Sequence, residues 1–207
     1  MPLVRILCAY FDQHLSMESH INHLCRSANW QLRNISLLRN YLDDKTCEIL
    51  IHAFVSSRLD FLNSLLFGLS ESFIHKLQKI QNSAARIVKR KRKRCHISPV
   101  LKDLHWLPVR ERINFKILLL TFRAVHLEHP VYISQLLSSY SPARDLRSSA
   151  KGFLTLPKPR LKSYGYRCFA YAAPYLWNRL PEQIRLCTKL STFKNKLKTH
   201  YFTLSFD

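Results

Sequence analysis

Six consecutive basic residues, Lys89 to Arg94, constrain the fold of this chain more than any other feature of its sequence. An α-helix turns once in about 3.6 residues, so six cations in a row place charge on every face of a helix. Such a segment cannot enter a hydrophobic core, because an unpaired buried charge costs several kcal/mol. We therefore expect it to project from the fold, as frayed final helical turns or as a loop, toward a polyanionic partner.

The overall composition agrees with a folded, strongly basic protein. The chain has 207 residues, of which 47% are hydrophobic, so it can bury a core and is not a disordered basic tail. Its 33 Lys and Arg residues outnumber 13 Asp and Glu residues, which gives a formal net charge of +20. This imbalance favours a nucleic acid or an anionic surface as partner.

Cysteine, glycine and hydropathy patterns narrow the class further. The 6 cysteines are far apart in the sequence, which favours free thiols in a reducing compartment. Apolar runs such as Ile117–Leu120 are far shorter than the ~20 residues of a membrane span. With 3 glycines, there is no glycine-rich phosphate loop and we expect no cofactor. We predict a nuclear and cytoplasmic protein without a signal peptide or transmembrane segment.

Apolar residues at intervals of three or four predict a mainly α fold. The N-terminal segment Val4–Asp12 reads as one short strand or buried segment. Between Thr46 and Gly68 the pattern predicts a single helix that ends at the glycine. The predicted starts of the other helices are Ser16, Ser70, Ser98, Val109, Pro130 and Ser191.

The composition changes after residue 137. Residues 138–166 are rich in Ser, Pro, Arg and Lys, which predicts a basic linker with one short strand at Phe153–Leu156. A small, mostly helical C-terminal unit follows, with an aromatic-rich helix that we expect to be kinked or broken at Pro174.

Two clusters of residues resemble metal-binding or catalytic motifs, but their spacing and predicted secondary structure support neither role. His20, His23 and Cys25 share one helix, but no second pair of ligands lies at a spacing suited to zinc. Tyr41–Asp44 matches the Tyr-x-Asp-Asp signature of reverse transcriptases, which requires a β-hairpin and a third carboxylate. Because the two aspartates lie between predicted helices, we interpret them as the N-terminal turn of the second helix. The sequence therefore predicts no catalytic residue and no metal site.

The candidate nucleic-acid-binding residues are the basic run and residues on the predicted helices around it. Trp106 is compatible with stacking on a base or with a buried position between two helices, and Arg58 with a phosphate contact or a local ion pair. The complete set is Arg58, Arg86, Lys89, Arg90, Lys91, Arg92, Lys93, Arg94, Trp106, Arg112 and Lys116.

Several blocks of residues resemble a known family. In chain order they are Phe54–Asp60, Asn63–Leu69, Gln81–Arg86, Leu104–Val109, Leu146–Ser149, Ala173–Pro181 and Ser191–Lys194. These blocks span most of the chain and resemble the C-terminal part of a LINE-type (non-LTR) retrotransposon reverse transcriptase, an RNA-directed DNA polymerase.

The resemblance implies a domain organisation and a function. Residues 1–42 would be the end of the palm and 43–137 a thumb-like helical bundle, followed by the linker 138–166 and a C-terminal unit at 167–207. The metal-binding aspartates of the family lie upstream of the matched region, so Asp43 and Asp44 do not inherit that role. The resemblance thus implies a non-catalytic fragment that binds template–primer, as RNA or an RNA–DNA hybrid, through its basic thumb.

Two alternatives remain open from the residues alone. Lys89–Arg94 also matches a basic nuclear-import signal, which importin-type receptors bind in acidic grooves. The chain could equally be the product of a pseudogene without a selected function.

Overall fold

A computed structural model of the protein describes residues 4–141 and 152–207. They form a mainly α-helical fold with a short two-stranded antiparallel sheet near the N-terminus, which confirms the predicted fold class. Within these two ranges, no helix is long and apolar enough to cross a membrane. The chain forms two compact units: unit 1 comprises 1–112 and 205–207, and unit 2 comprises 113–204.

Unit 1 is built around two long helices. Its strands and α-helices are β1 (Val4–Ile6), β2 (Ala9–Phe11), α1 (Glu18–Leu38), α2 (Asp44–Ile51), α3 (Ser57–Asp60), α4 (Glu71–Val88) and α5 (Ser98–Asp103), and α6 (Val109–His126) begins in it. Helix α1 packs on α4, and both bury the apolar faces that their periodicity predicts. The small residues Ala28, Ala84 and Ala85 are fully buried on these faces.

The short N-terminal strand is confirmed, but the segment Val4–Asp12, expected as one apolar strand or buried segment, is divided by a turn into a hairpin of two strands. Strand β1 pairs antiparallel with β2, with Arg5 opposite Tyr10. The turn between them places Leu7 at φ 46° and Cys8 at φ 65°. Left-handed backbone is uncommon for such residues and usually marked by Gly, Asn or Asp, so the sequence carried no signal for this turn.

The entry into α1 is fixed by an aspartate, whereas we predicted Ser16 as the cap. The Asp12 carboxylate accepts hydrogen bonds from the backbone N–H groups of His14, Ser16 and Met17 at 2.9–3.0 Å. These bonds hold the pKa of Asp12 below its usual range, and the bond from the Ser16 N–H has the largest effect. The Ser16 hydroxyl accepts from the Glu18 N–H at 3.2 Å, so it has an auxiliary role.

The segment 44–68 is not one continuous helix. After α2 the backbone forms a π-helical segment, His52–Ser56, and resumes as α3. Leu62 then adopts a left-handed conformation at φ 54°, and a 3-10 turn covers Asn63–Leu66. Gly68, at φ 71°, ends the segment as the sequence predicts.

Unit 2 has an aromatic core. Its helices are α7 (Val131–Ser134), α8 (Lys162–Gly165), α9 (Phe169–Trp177), α10 (Glu182–Arg185) and α11 (Leu190–Phe206), with α11 ending in unit 1 and most of α6 lying in unit 2. Phe122 stacks on Phe193 with ring centroids 4.6 Å apart, and Trp177 lies 5.6 Å from Phe193. All three side chains are essentially inaccessible to solvent.

Three expectations for this region change in detail. The predicted strand Phe153–Leu156 is a single bridge between Leu154 and Ser139. Pro174 lies inside α9, which continues to Trp177 and is not broken there. Helix α11 begins at Leu190, so Ser191 lies in its first turn and is not its cap. The block Leu146–Ser149, within 142–151, lies outside the described residues.

Candidate nucleic-acid interface

The basic run begins where α4 ends, at a fixed helix terminus. Arg90 adopts a left-handed conformation at φ 50°. The Lys91 N–H donates to the Arg86 carbonyl at 2.9 Å, and the Arg90 N–H donates to the Ile87 carbonyl at 3.4 Å. This pair of bonds is the Schellman motif, with Arg90 in the position that glycine usually occupies. Of the two expected forms, the run is therefore a loop that leaves a capped helix.

A buried arginine, Arg39, completes this helix end. The side chain is 9% exposed. Its Nε donates to the Ile87 carbonyl at 2.8 Å and its Nη2 to the Val88 carbonyl at 2.7 Å, and it also contacts the Leu42 carbonyl and the Asp44 carboxylate. The last carbonyls of a helix have no partner within the helix, and this guanidinium supplies one. The role of Arg39 is not predictable from the sequence, because its partners on α4 are 48 and 49 residues away.

The first two cations of the run are held against the fold. Arg90 donates from Nη2 to the Leu42 carbonyl at 3.1 Å and to the Arg39 carbonyl at 3.3 Å. The Lys89 ammonium lies 2.5 Å from the Asp103 carboxylate. This hydrogen bond raises the pKa of Lys89 and lowers the pKa of Asp103. Lys89 and Arg90 thus anchor the loop to α5 and to the segment after α1.

The next four cations, Lys91 to Arg94, are free. All four side chains are exposed. Across the described parts of the chain, none of them makes a side-chain hydrogen bond or an ion pair. A turn closed by the Cys95 N–H and the Arg92 carbonyl, 3.1 Å apart, shapes the segment. We call Lys91–Arg94 the basic loop. It presents four adjacent positive charges on an anchored backbone.

Arg86 and Arg58 have partners within unit 1. Arg86 is half-buried and donates from Nη2 to the Cys95 carbonyl at 3.3 Å, which ties the far side of the basic loop to α4. Arg58 is exposed and donates to the Ser27 hydroxyl on α1. Neither guanidinium is neutralised by a carboxylate within the described ranges.

Arg58 lines a cavity whose charge favours an anion. The cavity has a volume of about 430 Å³. Its lining comprises Arg5, Cys8, His20, His23, Leu24, Ser27, Ser57, Arg58 and Phe61. No acidic residue belongs to this lining, and two guanidinium groups do. Burial, and secondarily the nearby His23, lower the pKa of His20.

Arg112 and Lys116 differ in how far their positive charge is available to a ligand. Arg112 makes a two-pronged ion pair with Asp60, with Nε 2.8 Å from Oδ1 and Nη2 in contact with Oδ2. Its side chain is 22% exposed, so its charge is largely satisfied within unit 1. Lys116, by contrast, is exposed and belongs to unit 2.

Trp106 is in the core, which is the second of its two sequence interpretations. It is 4% exposed, and its Nε1–H donates to the Glu48 carboxylate at 3.1 Å. The His52 ring lies 5.2 Å away. A base could stack on this indole only if the surrounding helices opened. We therefore remove Trp106 from the candidate interface.

Two of the blocks that carry the family resemblance contact each other directly. Gln81, 4% exposed on the apolar face of α4, donates to the Leu107 carbonyl at 2.8 Å. Gln78 accepts from the Val109 N–H at 2.9 Å, which caps the start of α6. These amides fix the connection between α5 and α6. A polar residue within the apolar stripe of α4 was the sequence signal for this contact.

The aspartate pair is a helix start, as predicted. Asp43 Oδ1 accepts from the Thr46 N–H at 3.2 Å and caps α2. Hydrogen bonding by Thr46 lowers the pKa of Asp43. Asp44 pairs with Arg39. Within 4–141 and 152–207, no group of three or more His, Cys, Asp or Glu residues is arranged to hold a metal ion.

No family model, curated protein or solved structure matches the chain. The likeness to LINE-type reverse transcriptases therefore rests on the residue blocks alone and stays a prediction.

Proposed function

We propose that this chain binds RNA or an RNA–DNA hybrid through the basic loop of a thumb-like helical domain, and that it does not polymerise nucleotides itself. The observation that carries the proposal is the basic loop: four adjacent cations, exposed and without a hydrogen-bond or ion-pair partner among the described residues, on a helix end anchored by Arg39, Lys89 and Arg90. The nature of the ligand is inferred from the residue blocks that resemble the retrotransposon enzymes.

The chemistry of the loop suits phosphates rather than bases. Lys and Arg side chains contact backbone phosphates with little dependence on sequence, and each contact releases counterions from the nucleic acid. Because the loop is anchored at both ends, less conformational entropy is lost when its cations are positioned on a ligand. The donor-lined cavity at Arg58 is a second place in unit 1 where a phosphate fits.

The test is the salt dependence of binding when the loop is neutralised. Lys91, Arg92, Lys93 and Arg94 are replaced together by Ala, and affinity for a labelled RNA–DNA hybrid is measured by fluorescence anisotropy between about 50 and about 200 mM salt. If all four contact phosphates, the slope of log K against log salt becomes shallower by about 3 to 4. A matched control removes four exposed cations of unit 2: Arg123, Lys189, Lys194 and Lys198.

The control separates a specific loop from a general charge effect. We expect the control variant to change the slope by about 1 or less. Equal slopes for the two variants would contradict the assignment of the loop. Binding that does not respond to salt, or Mg²⁺-dependent nucleotide incorporation by the chain alone, would contradict the proposed function.

A nuclear-import function is the second candidate, favoured by the same geometry. Residues 91–94 are exposed and not helical, so an acidic groove of an importin-type receptor could bind them as an extended peptide. The loop variant distinguishes the two functions. Loss of nuclear import with unchanged hybrid affinity and salt slope would assign the loop to targeting.

A further inference from the structure

Unit 2 carries a column of aromatic and guanidinium groups that the proposed interface in unit 1 does not use. The Tyr166 ring meets the Tyr171 ring edge to face, with centroids 4.7 Å apart. Tyr171 stacks on Tyr175 at 5.5 Å and an interplanar angle of 23°. The Arg179 guanidinium carbon lies 3.7 Å from the Tyr175 ring centroid. We call these four residues the tyrosine column.

The sequence spacing explains why the column forms on one side of α9. Tyr171 and Tyr175 are four residues apart, so their side chains lie one above the other on the same helix face. Arg179 follows four residues later, in the turn after the helix. On the other side of α9, Ala172, Ala173 and Trp177 are buried in the core of unit 2.

The column is accessible at both of its ends. Tyr166 is 41% exposed and Arg179 is exposed, while Tyr171 and Tyr175 are half-buried between them. Tyr164, close to Tyr166 in the sequence, is 43% exposed. The row of four tyrosines at 164–175 therefore reaches the surface at Tyr164 and Tyr166 and is partly covered at Tyr171 and Tyr175.

The charge of this segment selects the kind of partner. Residues 152–181 contain five basic residues and no Asp or Glu: the five are Lys158, Arg160, Lys162, Arg167 and Arg179. Aromatic rings interspersed with cations, without carboxylates, are the pattern by which proteins bind single-stranded nucleic acids. The rings stack on bases while the cations attract the phosphates.

We infer that the tyrosine column is a stacking platform for the unpaired bases of single-stranded RNA or DNA. The inference rests on the proposed nucleic-acid function and adds a second site with a different ligand form. A duplex keeps its bases stacked on each other, so only a single strand can offer base faces to Tyr166 or to the Arg179 guanidinium. The basic loop, in contrast, needs only phosphates and can bind either form.

The test compares removal of the rings with removal of the hydroxyl groups alone. In the full chain, Tyr171→Ala and Tyr175→Ala are combined, and the matched control combines Tyr171→Phe and Tyr175→Phe. The probe is a labelled single strand of about 12 nucleotides, with a duplex of the same length beside it. We expect roughly tenfold weaker binding of the single strand by the Ala variant, and a change of about twofold or less for the Phe variant.

The salt slope and the duplex keep this result separate from the function of the basic loop. Stacking releases few counterions, so the Ala variant should keep the salt slope and the duplex affinity of the unmodified chain. If the loop variant becomes less salt-sensitive while the Ala variant binds the single strand normally, the platform is wrong and the proposed function stands. If the unmodified chain binds neither probe, both the platform and the proposed function fail.

Photocrosslinking makes the test independent of the folding of the Ala variant. A single strand that carries 5-iodouracil is irradiated in complex with the unmodified chain and the complex is digested with trypsin. We expect the crosslink in the peptide Ser163–Arg167, which contains Tyr166, or in the peptide Cys168–Arg179, which contains both Tyr171 and Tyr175. Crosslinks confined to other peptides would overturn the inference.

Discussion

Trp106 illustrates how a side chain suited to base stacking is used instead to close a helix end. His105 adopts a left-handed conformation at φ 54°, and the Trp106 N–H donates to the Leu101 carbonyl at 3.0 Å. These are the features of a Schellman motif, and Trp106 and Leu101, both buried, occupy the two positions between which an apolar contact commonly accompanies it. The indole then points into unit 1 and reaches Glu48 on α2.

Replacement of Trp106 by Phe should lower stability without affecting nucleic-acid binding. The change removes the Nε1–H donor to Glu48 and leaves a small cavity, so we expect a loss of about 1 to 2 kcal/mol in the free energy of unfolding. Urea unfolding measures the loss, and anisotropy with the RNA–DNA hybrid measures the affinity. Trp30→Phe is the control, because Trp30 is 62% exposed.

The two tryptophans give opposite expectations, which sharpens the result. Trp30→Phe should alter stability by about 0.5 kcal/mol or less. An affinity for the hybrid that falls about tenfold in Trp106→Phe, at unchanged stability, would return Trp106 to the interface.

At the same residue scale, exposure could be predicted from the sequence but pairing could not. Six adjacent cations cannot be buried in any fold, so the exposure of Lys91–Arg94 follows from the local sequence alone. The partner of Arg112 is Asp60, 52 residues earlier, and that of Lys89 is Asp103. Such pairs depend on how helices pack, which no local pattern encodes.

At the scale of elements, the end of α4 depends on one residue of another segment. Replacement of Arg39 by Met keeps the unbranched stem of the side chain but removes its hydrogen bonds to Ile87, Val88, Leu42 and Asp44. Several carbonyls then lose their partners in a poorly hydrated place, and we expect a loss of about 3 kcal/mol in the free energy of unfolding, measured by urea titration.

The control for this variant lies on the same stretch of chain. Arg33 is exposed on α1, so Arg33→Met should alter stability by about 0.5 kcal/mol or less. Arg39→Lys retains the charge but offers a single donor point, so it should lie between the two. Equal stability of Arg39→Met and Arg33→Met would show that water replaces the guanidinium at the helix end.

Helices whose apolar residues repeat at the same spacing over several turns could be predicted, and the irregular segments could not. Helices α4 and α6 follow the sequence closely, because many residues of each repeat the same spacing and Ser70 and Pro108 precede their starts. The turn of the hairpin was not predicted, because Leu7 and Cys8 adopt left-handed backbone where a glycine would usually mark the turn. The break after α3 was not predicted for the same reason, because Leu62 is also left-handed. The helix start at Asp43 was predicted correctly, because an N-cap depends on residues only three positions apart in the sequence.

At the scale of the whole molecule, both units contain a histidine that loses hydration on folding. Burial lowers the pKa of His20 in unit 1, and partial burial lowers the pKa of the half-buried His200 in unit 2. In the unfolded chain a histidine titrates near 6.5. As the pH falls through this value the unfolded state takes up protons first, so stability decreases from there until the folded pKa is passed.

We therefore expect the free energy of unfolding to be lower at mildly acidic pH than at neutral pH. Urea unfolding on both sides of a pH of about 6.5 measures this difference. The variant His20→Gln should reduce the pH dependence of unit 1. Stability that is constant or that rises as the pH falls would contradict the assignment. High salt separates this effect from the repulsion that a formal charge of +20 already produces.

The π-helical segment His52–Ser56 gives unit 1 a tolerance for one change in chain length at this point. A π turn accommodates one residue more than an α turn, so deletion of one of the five would restore a regular helix and leave the side chains of α3 in their present directions. In the regular helix α2, each residue advances the direction of the side chains by about 100°. A deletion there would rotate α3 and turn Asp60 away from Arg112. The position of a deletion, more than its size, therefore decides whether this ion pair survives.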